Sequence, residues 1–292
     1  MDSLPLVTIV CLCYNQKEFV KAALQSAITQ TYPNIEIIVV DDASTDGSRT
    51  EIESFLKDHP EIIFITLEQN VGNCTAFNLA FAQSKGKYFI DLAADDLLLP
   101  VRVEMGVADL EMADQSYGVH FSDAFIIDQE GKILNTHYVR NQDGELDEDI
   151  PQGDIYLDLI KRYFINPPAM MMKREVLEAL GGYDETLSYE DFDFWIRSSR
   201  KYKYMFNKTP LVKKRVLKKS LSSNQFTFRN KHQRSTLEVC RKILSLNQTK
   251  AENQALITRC WYEIRQCLKT LNLQLIPGYL TLIREATRQK GN

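Results

Sequence analysis

The sequence lacks several features that would define its class at once. No apolar run reaches the roughly 18–20 residues that a transmembrane helix needs. The amino terminus has no basic segment and carries an acid at Asp2, so we expect no signal peptide and a cytoplasmic protein. The six cysteines include no CxxC pair, which argues against a zinc or disulfide framework and predicts buried, reduced thiols.

Phosphate-binding glycine motifs are also missing. The sequence contains neither a Walker A loop nor a GxGxxG fingerprint, which excludes a glycine-rich cradle for phosphates. What is present is a globular composition of 292 residues, 44% hydrophobic and 25% charged. A chain of this length forms one large domain, or one domain with a smaller appendage.

The net charge of −4 conceals two regions of opposite sign. Residues 1–196 carry 13 Lys and Arg against 35 Asp and Glu, whereas residues 197–292 carry 22 against 4. Such a basic region suits nucleic acid, anionic lipid or phosphorylated ligands, or it docks on the acidic body of its own chain. We expect no nucleic-acid partner. The remaining candidate partners of the basic region are the inner face of a membrane, a second copy of the chain and the acidic body of its own chain.

Strands and helices alternate over the first hundred residues. Short apolar runs predict buried strands at 6–14, at 35–40 and from 88 onward, and a further strand at 62–67. Helical periodicity predicts helices at 17–29, 48–57 and 75–84. This alternation is typical of an α/β fold with a mostly parallel sheet flanked by helices. Further helical patterns at 233–246, 254–272 and 279–289 predict a helical appendage. Its apolar stripe is expected to pack on its own domain or on a partner subunit, or to lie on a membrane.

Two of the predicted strands end in pairs of acidic residues. Asp41 and Asp42 follow the second strand, and Asp95 and Asp96 follow the fourth. Because the carboxyl ends of parallel strands share one edge, both pairs are expected to line one crevice, where open α/β sheets bind ligands. Carboxylates there can hold a hard cation, which in turn binds phosphates. The alternative for either pair is a solvated loop or a helix cap.

Several stretches resemble the family 2 glycosyltransferases, inverting enzymes of GT-A fold that use a nucleotide-activated sugar and a divalent metal. The segments are VTIVCLCYNQKEFVKAALQSAITQTYPNIEIIVVDDASTDGS, Asn70–Val71–Gly72, GKYFIDLAADDLLLP and INPPAMMMKREVLEALGGYDETLSYEDFDFWIR. The similarity covers about residues 5–225 and lapses near 230. It implies a GT-A domain at 1–225, with a nucleotide-sugar half at about 1–100 and an acceptor half at about 101–225, and a helical region at 226–292.

The resemblance also implies a set of donor-binding residues: Leu12, Cys13, Tyr14, Asp41, Asn70, Gly72, Ala94 and Asp95. The residues of 12–14 would contact the nucleotide base, and Asp41 the base or the ribose. Asp95, the last acid of the family's DxD segment, would bind the divalent metal, Mn²⁺ or Mg²⁺. Ala93 stands where the family's first acid meets the ribose, which leaves that contact to Asp41 or Asp91.

The acceptor side falls in residues 188–197. Glu190 and Asp191 open a predicted helix, where acids are also expected from the helix dipole alone. The family's catalytic base matches Asp191, which would take the proton of the acceptor hydroxyl. Glu190 would orient the acceptor, and Trp195 would belong to the core or form an aromatic wall for a sugar.

The sequence therefore predicts a metal-dependent hexosyl- or N-acetylhexosaminyltransferase. It would move a sugar from a nucleotide-diphosphate sugar, preferably a UDP-sugar, to a glycan or lipid-linked acceptor in cell-surface polysaccharide assembly. A nucleotidyltransferase, which releases pyrophosphate, is a second hypothesis. A degenerate sugar-nucleotide-binding or scaffold protein is a third, favoured by departures from the family pattern at Ala93, Phe77 and Leu217.

Overall fold

The computed structural model describes residues 4–217 and 232–289, which form two compact units. Unit 1 consists of the described residues up to Gly153 together with Ile165–Asp184 and Tyr202–Val216. Unit 2 consists of Asp154–Phe164, Glu185–Lys201 and the described residues from Leu217 onward. The domain boundary predicted at 225/226 lies outside the described residues and stays a prediction.

Within residues 4–217, nine strands form one sheet in unit 1. They are β1 (Val7–Cys13), β2 (Ile35–Asp41), β3 (Ile63–Thr66), β4 (Tyr88–Ala93), β5 (Leu97–Leu98), β6 (Tyr117–Ile127), β7 (Ile133–Thr136), β8 (Met170–Lys173) and β9 (Lys203–Arg215). The order is β3-β2-β1-β4-β8-β6-β9-β5, with β7 beside β6. Strands β3, β2, β1 and β4 run parallel, whereas β8 is antiparallel to both of its neighbours. The predicted α/β class is confirmed.

Most helices of unit 1 pack against its strands. The helices of this unit are α1 (Val20–Ile28), α2 (Ser48–Leu56), α3 (Asn73–Gln83), α4 (Arg102–Met112) and α6 (Arg174–Leu180). Alternate strand residues point to one face of a sheet. On one such face Ile9 and Ile90 belong to a buried cluster with Ala23 and Leu24 of α1. This packing fixes the strand ends, and the loops that follow them, on a rigid base.

Unit 2 is helical. It contains α5 (Tyr156–Lys161), α7 (Asp191–Ser199), α8 (His232–Leu246), α9 (Lys250–Thr270) and α10 (Ile276–Arg288). Helix α9 begins with a capping box between Thr249 and Glu252, in which each side chain accepts a backbone N–H of the other residue. The predicted helical C-terminal region is confirmed. No helix in the described parts of the chain is long and apolar enough to cross a bilayer.

The cysteines behave as the sequence predicted. All six are buried free thiols: Cys11, Cys13, Cys74, Cys240, Cys260 and Cys267. They lie in the cores of the two units, where free cysteine acts as a small apolar side chain.

Candidate active site

The parallel strands bring the predicted donor residues to one edge of the sheet. Cys13 at the end of β1 is in register with Asp41 at the end of β2. On the other side of β1, Leu12 is in register with Ala93 of β4, and the N–H of Ala94 donates to the Leu12 carbonyl (2.9 Å). The strand register therefore places both acid pairs at one edge of the sheet, and their predicted place in a ligand-binding crevice stays a prediction.

The loop after β1 is tied to the loop after β2. The side-chain oxygen of Asn15 accepts the N–H of Thr45 (2.8 Å), and the N–H of Asn15 donates to Ser44 Oγ (2.9 Å). Asn15 and Ala43 both adopt positive φ angles, 54° and 59°, which the interlocked loops impose. Tyr14 lies at the start of this arrangement with its ring exposed, so it is open to stack on a nucleotide base.

Cys13, next to Tyr14, differs from it in accessibility. Its thiol is fully buried, and burial raises the pKa of Cys13 to about 11. The side chain therefore belongs to the core of unit 1. A nucleotide contact by Cys13 stays a prediction, as does one by Leu12, which is half-buried.

Asp41 is fully buried and ion-paired with an arginine that the sequence argument missed. Arg49 of α2 donates from Nε to Asp41 Oδ2 (2.9 Å) and from Nη2 to the Leu67 carbonyl (2.9 Å). Arg49 thereby links the ends of β2 and β3. Its position in the first turn of the helix after Asp41 was the available signal. The contact of Asp41 with the base or ribose stays a prediction. Because Arg49 is paired with Asp41, Arg49 lies at the same place, which we name the Asp41–Arg49 corner.

Asp42 holds the loop that contains Asn70 and Gly72. Its two carboxylate oxygens accept the N–H groups of Val71 (2.8 Å) and Gly72 (2.9 Å). Gly72 has φ 84° and ψ 162°, a backbone conformation that only glycine adopts readily. The structure thus brings the Asn70–Val71–Gly72 loop to the same sheet edge as Asp41.

The turn that contains Asp95 and Asp96 is clamped by Arg215 at the end of β9. The N–H of Arg215 donates to Asp96 Oδ1 (2.7 Å), and its Nε donates to the Asp95 carbonyl (3.0 Å). The guanidinium also lies over the ring of Phe19, 4.7 Å from its centre. Arg215 thus holds the backbone of the turn, and the half-buried carboxylate of Asp95 lies at the same sheet edge as Asp41.

The carboxyls of Asp91, on β4, and of Asp95 and Asp96, in the turn that follows β4, have raised pKa values. Burial raises the pKa of Asp91 to about 7 and that of Asp96 to about 8, and it raises the pKa of Asp95 as well. A divalent cation beside Asp95 would favour the ionised form of its carboxyl. Within the described residues no three His, Cys, Asp or Glu side chains form a complete metal cage. A carboxylate such as that of Asp95 is the type of ligand that Mg²⁺ and Mn²⁺ take, with substrate phosphates as further ligands, and metal binding by Asp95 stays a prediction.

The predicted acceptor residues lie on α7 in unit 2. Asp191 is the first residue of the helix and is half-buried, and its Oδ1 accepts the N–H of Phe192 (2.6 Å). Glu190 precedes it and is also half-buried. Trp195 is only 2% exposed and lies 6.0 Å from Tyr163, centre to centre. That burial favours its core role over a sugar-binding wall. The proposed contacts of these residues with an acceptor stay predictions.

The geometry defines an α/β protein with a mostly parallel sheet, and solved structures of GT-A glycosyltransferases share its fold. S. aureus TarS 1–349 in complex with UDP-GlcNAc matches with a TM-score of 0.68 at 16% identity, over 97% of this chain and 81% of TarS 1–349. A mannosyltransferase of Pyrobaculum calidifontis in complex with GDP-Man and Mn²⁺ matches with a TM-score of 0.61 at 18% identity, over 98% and 85%. At these identities the likeness shows the fold alone.

Sequence comparison gives the family. Residues 8–181 match the profile of Glycosyl transferase family 2, and the chain belongs to that family. An uncharacterized glycosyltransferase of Methanocaldococcus jannaschii is 30% identical over 220 residues, 73% of this chain and 71% of the relative. One from Rickettsia bellii is 32% identical over 212 residues, 72% of this chain and 30% of the relative.

The chain spans different fractions of the lengths of its relatives. For four relatives from Rickettsia species the chain covers between 30% and 64% of their length. TuaG of Bacillus subtilis, which its name assigns provisionally to teichuronic acid biosynthesis as a glycosyltransferase, is 27% identical over 250 residues, 85% of this chain and 92% of TuaG. Asp191 lies beyond the family match at 8–181, so its predicted role as the general base rests on the local motif.

Proposed function

We propose that the chain is a metal-dependent, inverting glycosyltransferase that uses a nucleotide-diphosphate sugar, with UDP-sugars as the first candidates. The observation that carries the proposal is the convergence of Leu12, Asp41, the 70–72 loop and Asp95 on one edge of a parallel sheet. The UDP-GlcNAc complex of TarS and the GDP-Man and Mn²⁺ complex of the Pyrobaculum enzyme support this class of donor and cofactor.

Each donor residue then has a task. The exposed ring of Tyr14 would stack on the base, and the Asp41–Arg49 corner would face the base or ribose. Asn70 and Gly72 would contact the donor from the loop that Asp42 holds. A divalent metal at Asp95 would neutralise the charge that develops on the departing diphosphate.

Asp191 would act as the general base. Its carboxylate takes the proton of an acceptor hydroxyl while that oxygen attacks the anomeric carbon of the donor sugar. The bond to the diphosphate breaks as the new glycosidic bond forms, which inverts the configuration at the anomeric carbon. Glu190 would orient the acceptor. The acceptor we propose is a growing glycan or a lipid-linked sugar of the cell surface, the class to which the name of TuaG points.

The donor half of the proposal is tested by calorimetric titration of UDP with and without Mn²⁺. Asp95→Ala should weaken the Mn²⁺-dependent part of the affinity by about tenfold or more, because the metal loses its protein ligand. Asp58→Ala, at an exposed position of unit 1, is the matched control and should bind as wild type does. Equal Mn²⁺ dependence in wild type and Asp95→Ala would remove the proposed metal site. A thermal-shift screen of nucleotide sugars with Mn²⁺ would identify the donor.

One specific observation favours a rival. Ala93 occupies the position of the usual ribose acid, as expected for a degenerate protein that binds a sugar nucleotide without transferring the sugar. Such a protein would bind the donor and release no nucleoside diphosphate. A nucleotidyltransferase would release pyrophosphate instead. The released product therefore separates all three hypotheses.

We also propose that unit 2 contacts an anionic membrane surface, where lipid-linked acceptors reside. Helix α9 buries Cys260, Ile264 and Cys267 on one side, whereas the α9 surface, made of Trp261, Tyr262, Arg265, Leu268 and Lys269, is exposed. Trp261 and Leu268 are 50% and 53% exposed. Exposed aromatic and aliphatic side chains beside cations are typical of helices that lie in a lipid interface.

Charge favours lipid over a second copy of the chain as the occupant of the α9 surface. Every acid of α8 and α9 is in an ion pair with an arginine: Glu238 with Arg241, Glu252 with Arg200, and Glu263 with Arg259. Arg265 and Lys269 therefore make the α9 surface positive. A two-fold interface would set like charges against each other.

Vesicle sedimentation tests the membrane contact. The double variant Trp261→Ser, Leu268→Ser should lose binding to vesicles of phosphatidylcholine with phosphatidylglycerol. Met112→Ser, at an exposed apolar position of α4 in unit 1, is the control and should keep it. Equal sedimentation of the double variant and wild type would end the proposal. So would a dimer of the wild type that the double variant abolishes.

A further inference from the structure

The segment that carries the candidate base is held by helices outside the family match. We name Ser188–Asp193 the base segment; it leads into α7 and includes Asp191. Helices α8 and α9 begin at His232 and Lys250, well beyond the family match at 8–181. The contacts between these helices and the base segment all lie within unit 2.

Two hydroxyl groups of α8 hold the start of the base segment. The N–H of Ser188 donates to Ser235 Oγ (2.9 Å), and the two serine hydroxyls are 3.0 Å apart. The hydroxyl of Tyr189 is 2.7 Å from Thr236 Oγ1. Ser235 and Thr236 are both buried, so these hydrogen bonds compete little with water.

The other end of the base segment is held by charge and by aromatic contact. Lys242 of α8 binds Asp193 at 2.5 Å, and Asp193 is fully buried. The guanidinium of Arg259 from α9 lies 4.7 Å from the ring centre of Phe192. Arg259 is itself 4% exposed and is paired with Glu263 (2.8 Å). Residues on both sides of Asp191 are thus anchored on α8 and α9.

We infer that Ser235, Thr236 and Arg259 are positioning residues for Asp191; the inference rests on the proposed function, in which Asp191 is the base. The Asp191 carboxylate accepts the N–H of Phe192, so its direction follows the backbone of the base segment. A general base must lie within hydrogen-bond reach of the proton it takes. A displacement of about 1 Å can cost on the order of a hundredfold in rate.

The inference makes α8 and α9 part of the catalytic apparatus. Their buried hydroxyls and Arg259 would contribute to the chemical step through Asp191, without touching the substrate. A role in folding alone would instead lower stability and leave the turnover of the folded enzyme unchanged. Turnover and stability therefore have to be measured on the same variants.

Thr236 allows the sharpest substitution. Thr236→Val removes the hydroxyl that meets Tyr189 and keeps the side-chain shape, whereas Thr236→Ser keeps a hydroxyl. Thr258→Val is the control, because that hydroxyl donates to the Gln254 carbonyl within its own helix (3.1 Å). We expect Thr236→Val to lower kcat by about tenfold with the Kd for UDP unchanged, Thr236→Ser to restore kcat, and Thr258→Val to match wild type.

Tyr189→Phe removes the same hydrogen bond from its other end. If positioning is the cause, Tyr189→Phe lowers kcat as Thr236→Val does, and the double variant is no slower than either single one. Wild-type kcat in both single variants would overturn the inference. This second variant also covers the case in which Thr236→Val does not fold.

Hydrogen exchange gives a readout that is independent of activity. The backbone amides of the base segment should exchange faster in Thr236→Val than in wild type and in Thr258→Val. Unchanged exchange there would overturn the inference. If the wild type transfers no sugar, the proposed function fails, and this exchange measurement still decides whether α8 holds the segment.

Discussion

Asp42→Asn tests the geometry of the donor edge most sharply. The Asp42 side chain is 4% exposed and accepts two backbone N–H groups, those of Val71 and Gly72. The substituted amide keeps one acceptor oxygen and turns an N–H₂ group toward the second N–H. A hydrogen bond to a charged group contributes about 1.5–3 kcal/mol, and a buried donor left without a partner costs about 1–3 kcal/mol. We therefore expect a loss of about 3 kcal/mol in the free energy of unfolding.

Urea unfolding at neutral pH measures this loss, and UDP titration measures its consequence. Because the 70–72 loop would lose a tether, UDP affinity should fall as well. Asp58→Asn, at an exposed position of the same unit, is the control and should change the unfolding free energy by less than about 0.5 kcal/mol. An Asp42→Asn variant as stable as this control would contradict the tethering of the 70–72 loop by Asp42.

Two further predictions concern Arg215 and His120, which are both buried in unit 1. Arg215→Lys keeps the charge but loses the planar fork that holds the Asp95 carbonyl, so Mn²⁺-dependent UDP affinity should drop about tenfold in calorimetry; unchanged affinity would contradict the clamp. Burial lowers the pKa of His120, which lies 3.0 Å from Asp109, to about 4. The pKa of His120 in the folded protein is below the unfolded value of about 6.5. Its contribution to the free energy of unfolding is therefore fully present above pH 6.5, and about 3 kcal/mol is lost as the pH falls through 4. Urea unfolding between pH 7 and 4.5 should decline less in His120→Gln than in wild type, and parallel curves would contradict the assignment.

The sequence was sufficient for features with a local signal. Apolar runs and helical periodicity predicted the elements of the parallel half of the sheet, because β1, β2 and β4 are largely buried and each helix buries one face, whereas β3 is only partly buried. The acid pairs at Asp41 and Asp95 could be placed on one edge from topology alone. The family motifs added a role to each position, and family membership is confirmed by the match over residues 8–181.

The sequence was insufficient where a contact joins distant segments. Nothing local pairs Arg215 with the turn at Asp95, 120 positions away, or Tyr189 with Thr236 across 47 positions. The pairing of Arg49 with Asp41 spans only eight positions, yet it depends on the turn between β2 and α2. Burial is equally non-local, which is why Trp195 could be assigned either to the core or to a sugar-binding wall.

The proposed role of Asp191 is decided by comparing wild type and Asp191→Asn in one sugar-transfer assay with Mn²⁺ and a nucleotide sugar. We expect wild type to release a nucleoside diphosphate as it transfers the sugar. We expect Asp191→Asn to bind UDP equally well and to transfer the sugar about 10²–10⁴-fold more slowly, the contribution expected of a general base. Equal transfer by both proteins, or release of pyrophosphate, would contradict these expectations.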